Sequence, residues 1–349
     1  MMSVMLGDKK LRVAVFGTGW WSKFQIPAWL EIGNLEIVAL YNRTISKAKA
    51  AKEQWSLDCN VYSEPEELFK SEQIDFVDII TETPYHKQLV LMAAKYGVPV
   101  VCQKPVSFSY EDCLEMHHAC QAVDVPLIIN ENYRWKSPIR QIKKIMDSGV
   151  IGKPFRANIQ LSTGGPYQLE NQPFLKSLRH YVIFDLGVHG FDIARYLFGE
   201  PDRVYCQALR TVDFIAGDDM AIATLTYKDT LCSVQLTDMF THTIVIEGLK
   251  GLIELTTDYK LAITTKDQGV QCYDCTDWKR YGYMEPEDEK ILGTDVVDAI
   301  VQAQRNILEE LRYGKKAETT MSEYVKTMEI AFCAIRSVLT GESVPLNRY

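Results

Sequence analysis

Val13-Ala14-Val15-Phe16-Gly17-Thr18-Gly19-Trp20-Trp21-Ser22 runs an apolar strand into a glycine turn and then into the start of a helix. Gly17 permits the tight turn, and Gly19 lets the backbone approach a pyrophosphate at a helix N-terminus. Ser22 stands where a G-x-G-x-x-G pattern has its third glycine, so the match is partial. Its weight comes from its place in the first strand–helix unit. Working outward, apolar runs recur at Leu11–Phe16, Leu35–Tyr41, 76–80, 98–102 and Leu127–Asn130. Helical patterns at 46–54, His86–Lys95 and Tyr110–Ala122 lie between them. Strand and helix alternating at this pitch predict βαβ units and a doubly covered parallel sheet, so residues 1–131 read as an α/β Rossmann domain.

The texture changes after Gly152-Lys153-Pro154. Strand-like alternation runs to about residue 265, as in 221–227 and 231–236, with turn signals at 164–166, 217–219, 228–229 and 248–251. Consecutive strands joined by short turns favour an antiparallel sheet. One helix is expected over 184–197 and two more over 295–312 and 322–339, so 132–349 reads as an α+β domain, with its last helices packed back on the first domain.

The 349 residues are 47% hydrophobic and 24% charged, which excludes disorder, collagen and a coiled coil. With 38 Lys+Arg against 46 Asp+Glu, the net charge of −8 argues against nucleic acid or an anionic membrane as partner. No apolar run approaches the roughly 20 residues that span a bilayer. The first ten residues are too short and polar for a signal peptide, and nine scattered cysteines suit a reducing compartment, so the expected location is cytoplasmic. Cys272 and Cys275 have metal-ligand spacing but lack a second ligand pair, so no metal is expected.

Two further places carry chemistry. The second strand ends Tyr41-Asn42-Arg43, without the acid that grips a ribose diol in NAD sites. Asn42 can hydrogen-bond a ribose hydroxyl; Arg43 suits a 2′-phosphate, an adenine face or plain solvent, so these residues alone lean towards NADP(H). Lys104 sits at the carboxyl end of a parallel strand, where open α/β sheets bind ligands, and Asp185, His189 and Asp192 share one helical face. A carboxylate one turn from an imidazole orients it as a proton acceptor.

The sequence resembles the Gfo/Idh/MocA oxidoreductase family, in six segments taken in order. They are the 17–22 turn, Thr83-Pro84-Tyr85-His86, Gln103-Lys104-Pro105, Asn132-Tyr133-Arg134, Gly149-Val150-Ile151-Gly152 and Asp185-Leu186-Gly187-Val188-His189 with Asp192. The resemblance implies a Rossmann domain followed by a domain with a large open, mainly antiparallel sheet that serves as a homo-oligomer interface. It implies NAD(H) as cofactor and a sugar or glycoside as substrate. Cofactor contacts would come from Gly17, Thr18, Gly19, Trp20, Trp21, Asn42, Arg43, Thr83, Pro84, His86, Gln103 and Lys104. Substrate contacts would come from Lys104, Asn132, Arg134, His180, Tyr181, Asp185 and His189. His189 would take the hydroxyl proton, Lys104 would hydrogen-bond the same oxygen, and Asp185 would orient His189 or grip a neighbouring hydroxyl.

The departures are specific. Gln103 replaces the family glutamate, leaving Lys104 without an adjacent carboxylate, and Arg179-His180-Tyr181 replaces a glycine-rich approach to the helix. His180 reads equally as a substrate contact or a helix cap. The expected reaction is interconversion of a ring hydroxyl and its ketone at C3 of a glucose-type ring. A glycosidase working by transient oxidation and elimination, and a non-catalytic dinucleotide sensor, are the alternatives.

Overall fold

The computed structural model describes residues 6–162, 167–237, 242–283 and 293–346, with the side chains of 167 and 168 left aside; the expected turn at 164–166 lies outside the described residues. These residues divide into two compact units. One takes the described parts of Met1–Asn132, Tyr281–Met284 and Ile300–Lys326; the other takes those of Tyr133–Arg280, Glu285–Ala299 and Thr327–Tyr349.

In the first unit, strands β1 (Leu11–Phe16), β2 (Leu35–Tyr41), β3 (Asn60–Tyr62), β4 (Phe76–Ile79), β5 (Val100–Gln103) and β6 (Leu127–Asn130) form one parallel sheet in the order β3-β2-β1-β4-β5-β6. Helices α1 (Ser22–Ile32), α2 (Ile45–Gln54), α3 (Pro65–Ser71), α4 (His86–Lys95) and α5 (Tyr110–Ala122) alternate with the strands. The order reverses between β1 and β4, and ligands bind at the carboxyl ends of strands flanking such a switch. The core runs through Leu11, Val13, Val15, Leu40, Phe76, Val101 and Ile128, closed by Ile26 and Trp29 of α1 and by Ile307, Leu308 and Leu311. The strand run expected at 98–102 begins two residues later. β3 and α3 carry too short and polar a pattern to stand out in the sequence: no residue of β3 is buried, and α3 buries only Leu68 and Phe69.

The second unit continues through α6 (Ser137–Asp147), β7 (Pro154–Ser162), α7 (Tyr167–Asn171) and α8 (Val188–Phe198). Strands β8 (Arg203–Leu209), β9 (Met220–Thr226), β10 (Leu231–Thr237), β11 (Thr243–Gly248), β12 (Gly251–Leu255), β13 (Lys260–Thr265), β14 (Gly269–Asp274) and β15 (Val344–Pro345) complete a nine-stranded sheet. Its order is β14-β13-β12-β11-β7-β10-β9-β8-β15; β7 and β10 are parallel and every other neighbouring pair is antiparallel. The long helices α9 (Thr294–Tyr313) and α10 (Met321–Thr340) contribute residues 300–326 to the first unit.

Strand alternation puts Cys206, Ala223, Val234 and Ile159 on the buried face of this sheet and Tyr205, Ile222 and Leu231 on the exposed one. Helix α8 lies on the buried face, and Gly190 lets it come close: a Cβ there would stand 2.6 Å from Val234 Cγ1. The helix expected over 184–197 is two pieces, a π-helical turn at Ile183–Gly187 and then α8. Asp185 therefore sits in the wider turn and His189 in the α-helix, an irregularity that side-chain periodicity does not reveal. Among the described residues no helix is long and apolar enough to cross a membrane.

Candidate functional site

The carboxyl edge of the parallel sheet is polar and preorganised. Gly17 has φ +107°, and a Cβ on it would lie 2.8 Å from the backbone of Ile80 and Thr81, so β1 passes β4 only as glycine. A Cβ on Gly19 would meet nothing within 4 Å, which leaves that side of the turn open. Helix α1 starts at Ser22; its first amides bond back to the carbonyls of Gly19, Trp20 and Trp21, and no acidic side chain occupies its first turn, so the helix dipole favours an anion beside the turn. Asn42 ties the next turn to this one: its Nδ2 donates to Thr18 Oγ1 at 2.8 Å and its Oδ1 accepts from Thr44 N at 2.9 Å. Buried polar atoms without a hydrogen-bond partner among the described residues collect at the same edge, namely Thr81 Oγ1, both side-chain atoms of Asn130, and Asn132 Nδ2. Such atoms need a partner, and a dinucleotide supplies several. The turn, the open face and the orphaned atoms together fit a bound dinucleotide.

Other expected cofactor residues have partners of their own. Arg43 lies over the Tyr85 ring at 3.8 Å, hydrogen-bonds its hydroxyl and faces Glu82, so its guanidinium is engaged by neighbouring side chains. His86 is buried, with Nε2 2.9 Å from the Thr81 carbonyl and Nδ1 3.2 Å from that of Val106; burial lowers its pKa. It ties the end of β4 to the segment beyond Lys104, with Thr83 buried between. Trp20 and Trp21 pack edge-on against Phe24.

Behind Lys104 lies an array that the sequence did not signal. Asp78 on β4 is fully buried and accepts from Gln25 Nε2 at 2.7 and 2.8 Å and from Trp29 Nε1 at 2.7 Å. Gln103 Nε2 donates to Gln25 Oε1 at 2.6 Å, and Gln103 Oε1 accepts from Lys104 N at 2.8 Å. Burial pushes the Asp78 carboxyl up to about 7, against the pull of its two donors.

In the second unit, the expected residues gather around α8. His189 and Asp185 are buried, and the Tyr133 ring stacks on the His189 imidazole at 3.8 Å between centroids and 8° between planes. Lys136 Nζ lies over the same ring at 4.1 Å. At those distances the imidazole and the ammonium occupy opposite faces of Tyr133. Lys136 pairs with buried Asp295 at 3.0 Å, and Tyr259 donates to the same carboxylate at 3.0 Å. Burial works against the Lys136 charge, and Asp295 more than offsets it, so its pKa is raised. Nearby His242 is held down at about 4 by burial and then by the Lys136 charge.

Arg134 is committed to Asp192: its Nε and Nη2 donate at 2.7 and 2.6 Å to the two carboxylate oxygens, in a pair only 9% and 0% exposed. Arg134 thus reaches the functional helix through an ion pair. Tyr181 is fully buried, while His180 Nδ1 lies 2.9 Å from Asp218 Oδ2. The helix entry has no side-chain cap, so His180 serves Asp218 there instead. Tyr133, Lys136, Asp295, Gln25 and Asp78 were all absent from the sequence-based site. Only Tyr133 and its neighbours in the Asn-Tyr-Arg segment carried a signal.

Comparison with known proteins bears on the family and the fold. Residues 11–131 match the family model described as "Oxidoreductase family, NAD-binding Rossmann fold", and residues 139–254 match the GFO/IDH/MocA C-terminal domain. A D-apiose dehydrogenase of Paraburkholderia graminis is 30% identical over 97% of this chain and 90% of its own. The crystal structure of an oxidoreductase from Agrobacterium radiobacter in complex with NAD+, L-tartaric acid and magnesium superposes with a TM-score of 0.90, at 28% identity, covering 97% of this chain and 98% of that one. A D-glucoside 3-dehydrogenase of Escherichia coli is 24% identical over 57% of this chain and 57% of its own.

Proposed function

The chain belongs to the Gfo/Idh/MocA family of NAD(P)-dependent sugar-dehydrogenase-type oxidoreductases, and from that premise we propose that it oxidises a hydroxyl-bearing carbon of a small sugar with NAD+, D-apiose being the first candidate. The observation that carries this reading is a likeness running the length of the chain to a D-apiose dehydrogenase. The expectation of C3 oxidation on a glucose-type ring has behind it only a partial likeness to a D-glucoside 3-dehydrogenase, so it becomes the second substrate to test.

The residues divide the work. The turn at Gly17, Thr18 and Gly19, braced by Asn42, holds the pyrophosphate and ribose, and Thr83 and Pro84 line the loop after β4. A nicotinamide held there would supply the hydride acceptor. His189 takes the hydroxyl proton, and its ring plane is fixed by Tyr133. Lys104 donates a hydrogen bond to the reacting oxygen and stabilises its developing charge. Asp185, one turn before His189, orients the imidazole, and Asn132 and His180 contact the sugar. The exposed face carrying Tyr205, Ile222 and Leu231 serves as a homo-oligomer contact.

The test is a panel of D-apiose, D-glucose and phenyl β-D-glucoside with NAD+ or NADP+, followed by the nicotinamide absorbance. The reading expects reduction of NAD+ with D-apiose in preference to the others. Faster oxidation of the glucoside restores the C3 assignment, and release of phenol without net NADH points to elimination chemistry. No reduction with any sugar contradicts the proposal.

A further inference from the structure

We propose that Asp78 and Gln25 are positioning residues for Lys104, joined to it through Gln103 by a hydrogen-bond chain of a single sense, so that the carboxylate missing beside Lys104 is present two amides away. The proposal rests on the catalytic reading of Lys104 given above.

The sense of the chain is fixed at both ends. The Lys104 backbone N–H can only donate, so Gln103 presents its oxygen to it and its NH2 to Gln25. Gln25 is thereby obliged to present its own NH2 to Asp78, and the Trp29 indole N–H can only donate to the same group. An ionised carboxylate satisfies all of these donors. Four of the side chains, Gln25, Trp29, Asp78 and Gln103, are no more than 7% exposed, so water cannot repair a mismatch.

That logic makes isosteric changes informative. Gln103→Glu places a carboxylate against Gln25 Oε1; if Gln25 rotates to answer it, its oxygen then faces Asp78. Asp78→Asn places an NH2 group against the NH2 of Gln25 or the N–H of Trp29. Above about pH 8, where Asp78 is ionised, each single change therefore leaves two acceptors or two donors face to face. The double change Asp78→Asn with Gln103→Glu gives every donor an acceptor again and leaves one glancing contact, between the rotated Gln25 oxygen and the amide oxygen at position 78. The new amide at position 78 would accept from Trp29 and donate to a rotated Gln25. Gln25 would in turn donate to the new carboxylate at position 103, which still accepts from Lys104 N. Charge is conserved, and the two bonds made by the Gln25 amide run in the opposite sense while those from Lys104 N and Trp29 are kept.

The experiment compares wild type, the two single variants and the double variant as full-length proteins, with D-apiose and NAD+ as probes. Displacing a catalytic group by less than an ångström costs about 10- to 100-fold, so each single variant is expected to lose that much in kcat with KM for both probes little changed. The double variant is expected to recover to within about threefold of wild type. Alongside, the backbone amide signal of Lys104 in 15N-lysine-labelled protein, assigned from its absence in Lys104→Arg, is expected to shift in both single variants and return in the double. A double variant that is folded yet no more active than the worse single, or a Lys104 amide that both single changes leave in place, overturns the proposal.

The amide signal reads the chain independently of turnover. If Lys104→Ala retains activity while the signal behaves as expected, the lysine assignment fails and the hydrogen-bond chain stands. If a single variant does not fold, the wild type gives the answer by titration, because protonating Asp78 turns one of the two oxygens facing the Gln25 NH2 into a donor while the other still accepts from Trp29. The groups acting on Asp78 are Gln25 and Trp29 from α1; the thiol of Cys102 on β5 points to the opposite face of the sheet and is kept neutral, because burial and then the Asp78 charge push its pKa well up. A Lys104 amide that moves with a midpoint near the Asp78 value of about 7 supports the chain, and one that stays fixed through that range contradicts it.

Discussion

The two regions that carry the expected chemistry are held in place by different forces. Around Lys104 the supports are two neutral amides, an indole and a single buried carboxylate, linked by hydrogen bonds whose sense cannot be reversed piecemeal. Around His189 they are an aromatic ring stacked on the imidazole and two buried ion pairs, Arg134–Asp192 and Lys136–Asp295. The first kind of support is sensitive to swapping oxygen for nitrogen at constant shape. The second tolerates such subtlety but not the loss of one charge, because the abandoned partner remains buried.

The comparison breaks most readily at the ion pair. Arg134→Met strips buried Asp192 of its two charge-assisted hydrogen bonds, leaving it Thr327 and the more distant charge of Arg195, and unfolding in denaturant is expected to show a loss of about 3 kcal/mol. A loss of a few tenths of that would mean water reaches Asp192 and that the pair is not a support. Next comes Asp78. Its carboxyl is pushed up to about 7 in the folded protein from 3.8, so between those values the folded state binds a proton that the unfolded chain releases. The resulting stabilisation is complete below the unfolded value and is lost as pH rises through about 7. Relative to Asp78→Asn, the wild type should therefore lose a few kcal/mol of stability across that window, and parallel stability curves for the two proteins would contradict the assignment.

Two smaller effects sharpen the contrast. Tyr133→Leu removes the ring between His189 and Lys136, and an aromatic contact of about 0.5–1.5 kcal/mol corresponds to a fall in kcat of a few- to tenfold. Tyr133→Phe keeps the stacked ring and should stay close to wild type; equal losses in both variants would shift the role from the ring to the hydroxyl. The smallest change expected is Arg43→Ala, because Arg43 is spent on Tyr85 and Glu82. The ratio of kcat/KM for NAD+ over NADP+ should move by less than about threefold. A larger gain for NAD+ would show that Arg43 reads the 2′-phosphate after all.

What the sequence disclosed and what it hid follow the same division. The parallel sheet was legible because doubly covered strands are unbroken apolar runs, and the Gly17 turn because only glycine passes β4 there. The antiparallel character of the second sheet followed from alternation, which the burial of Cys206, Ala223 and Val234 makes visible. The π-helical turn at Ile183–Gly187 was not legible, since it leaves the apolar pattern intact and changes only the spacing of Asp185 from His189. Gln103 looked like a missing carboxylate because the replacement, Asp78, lies 25 positions earlier and speaks through Gln25, 53 positions from it. Lys136 and Asp295 are likewise brought together only by the fold. Periodicity reports burial; it does not report which buried polar groups find one another.

Steady-state oxidation of D-apiose with NAD+ by wild type, Lys104→Ala and His189→Ala, with NADH binding followed by fluorescence, tests the central claim most directly. The account predicts that each variant loses at least about 10²-fold in kcat while His189→Ala still binds NADH. Either variant turning over within a factor of about two of wild type would contradict it.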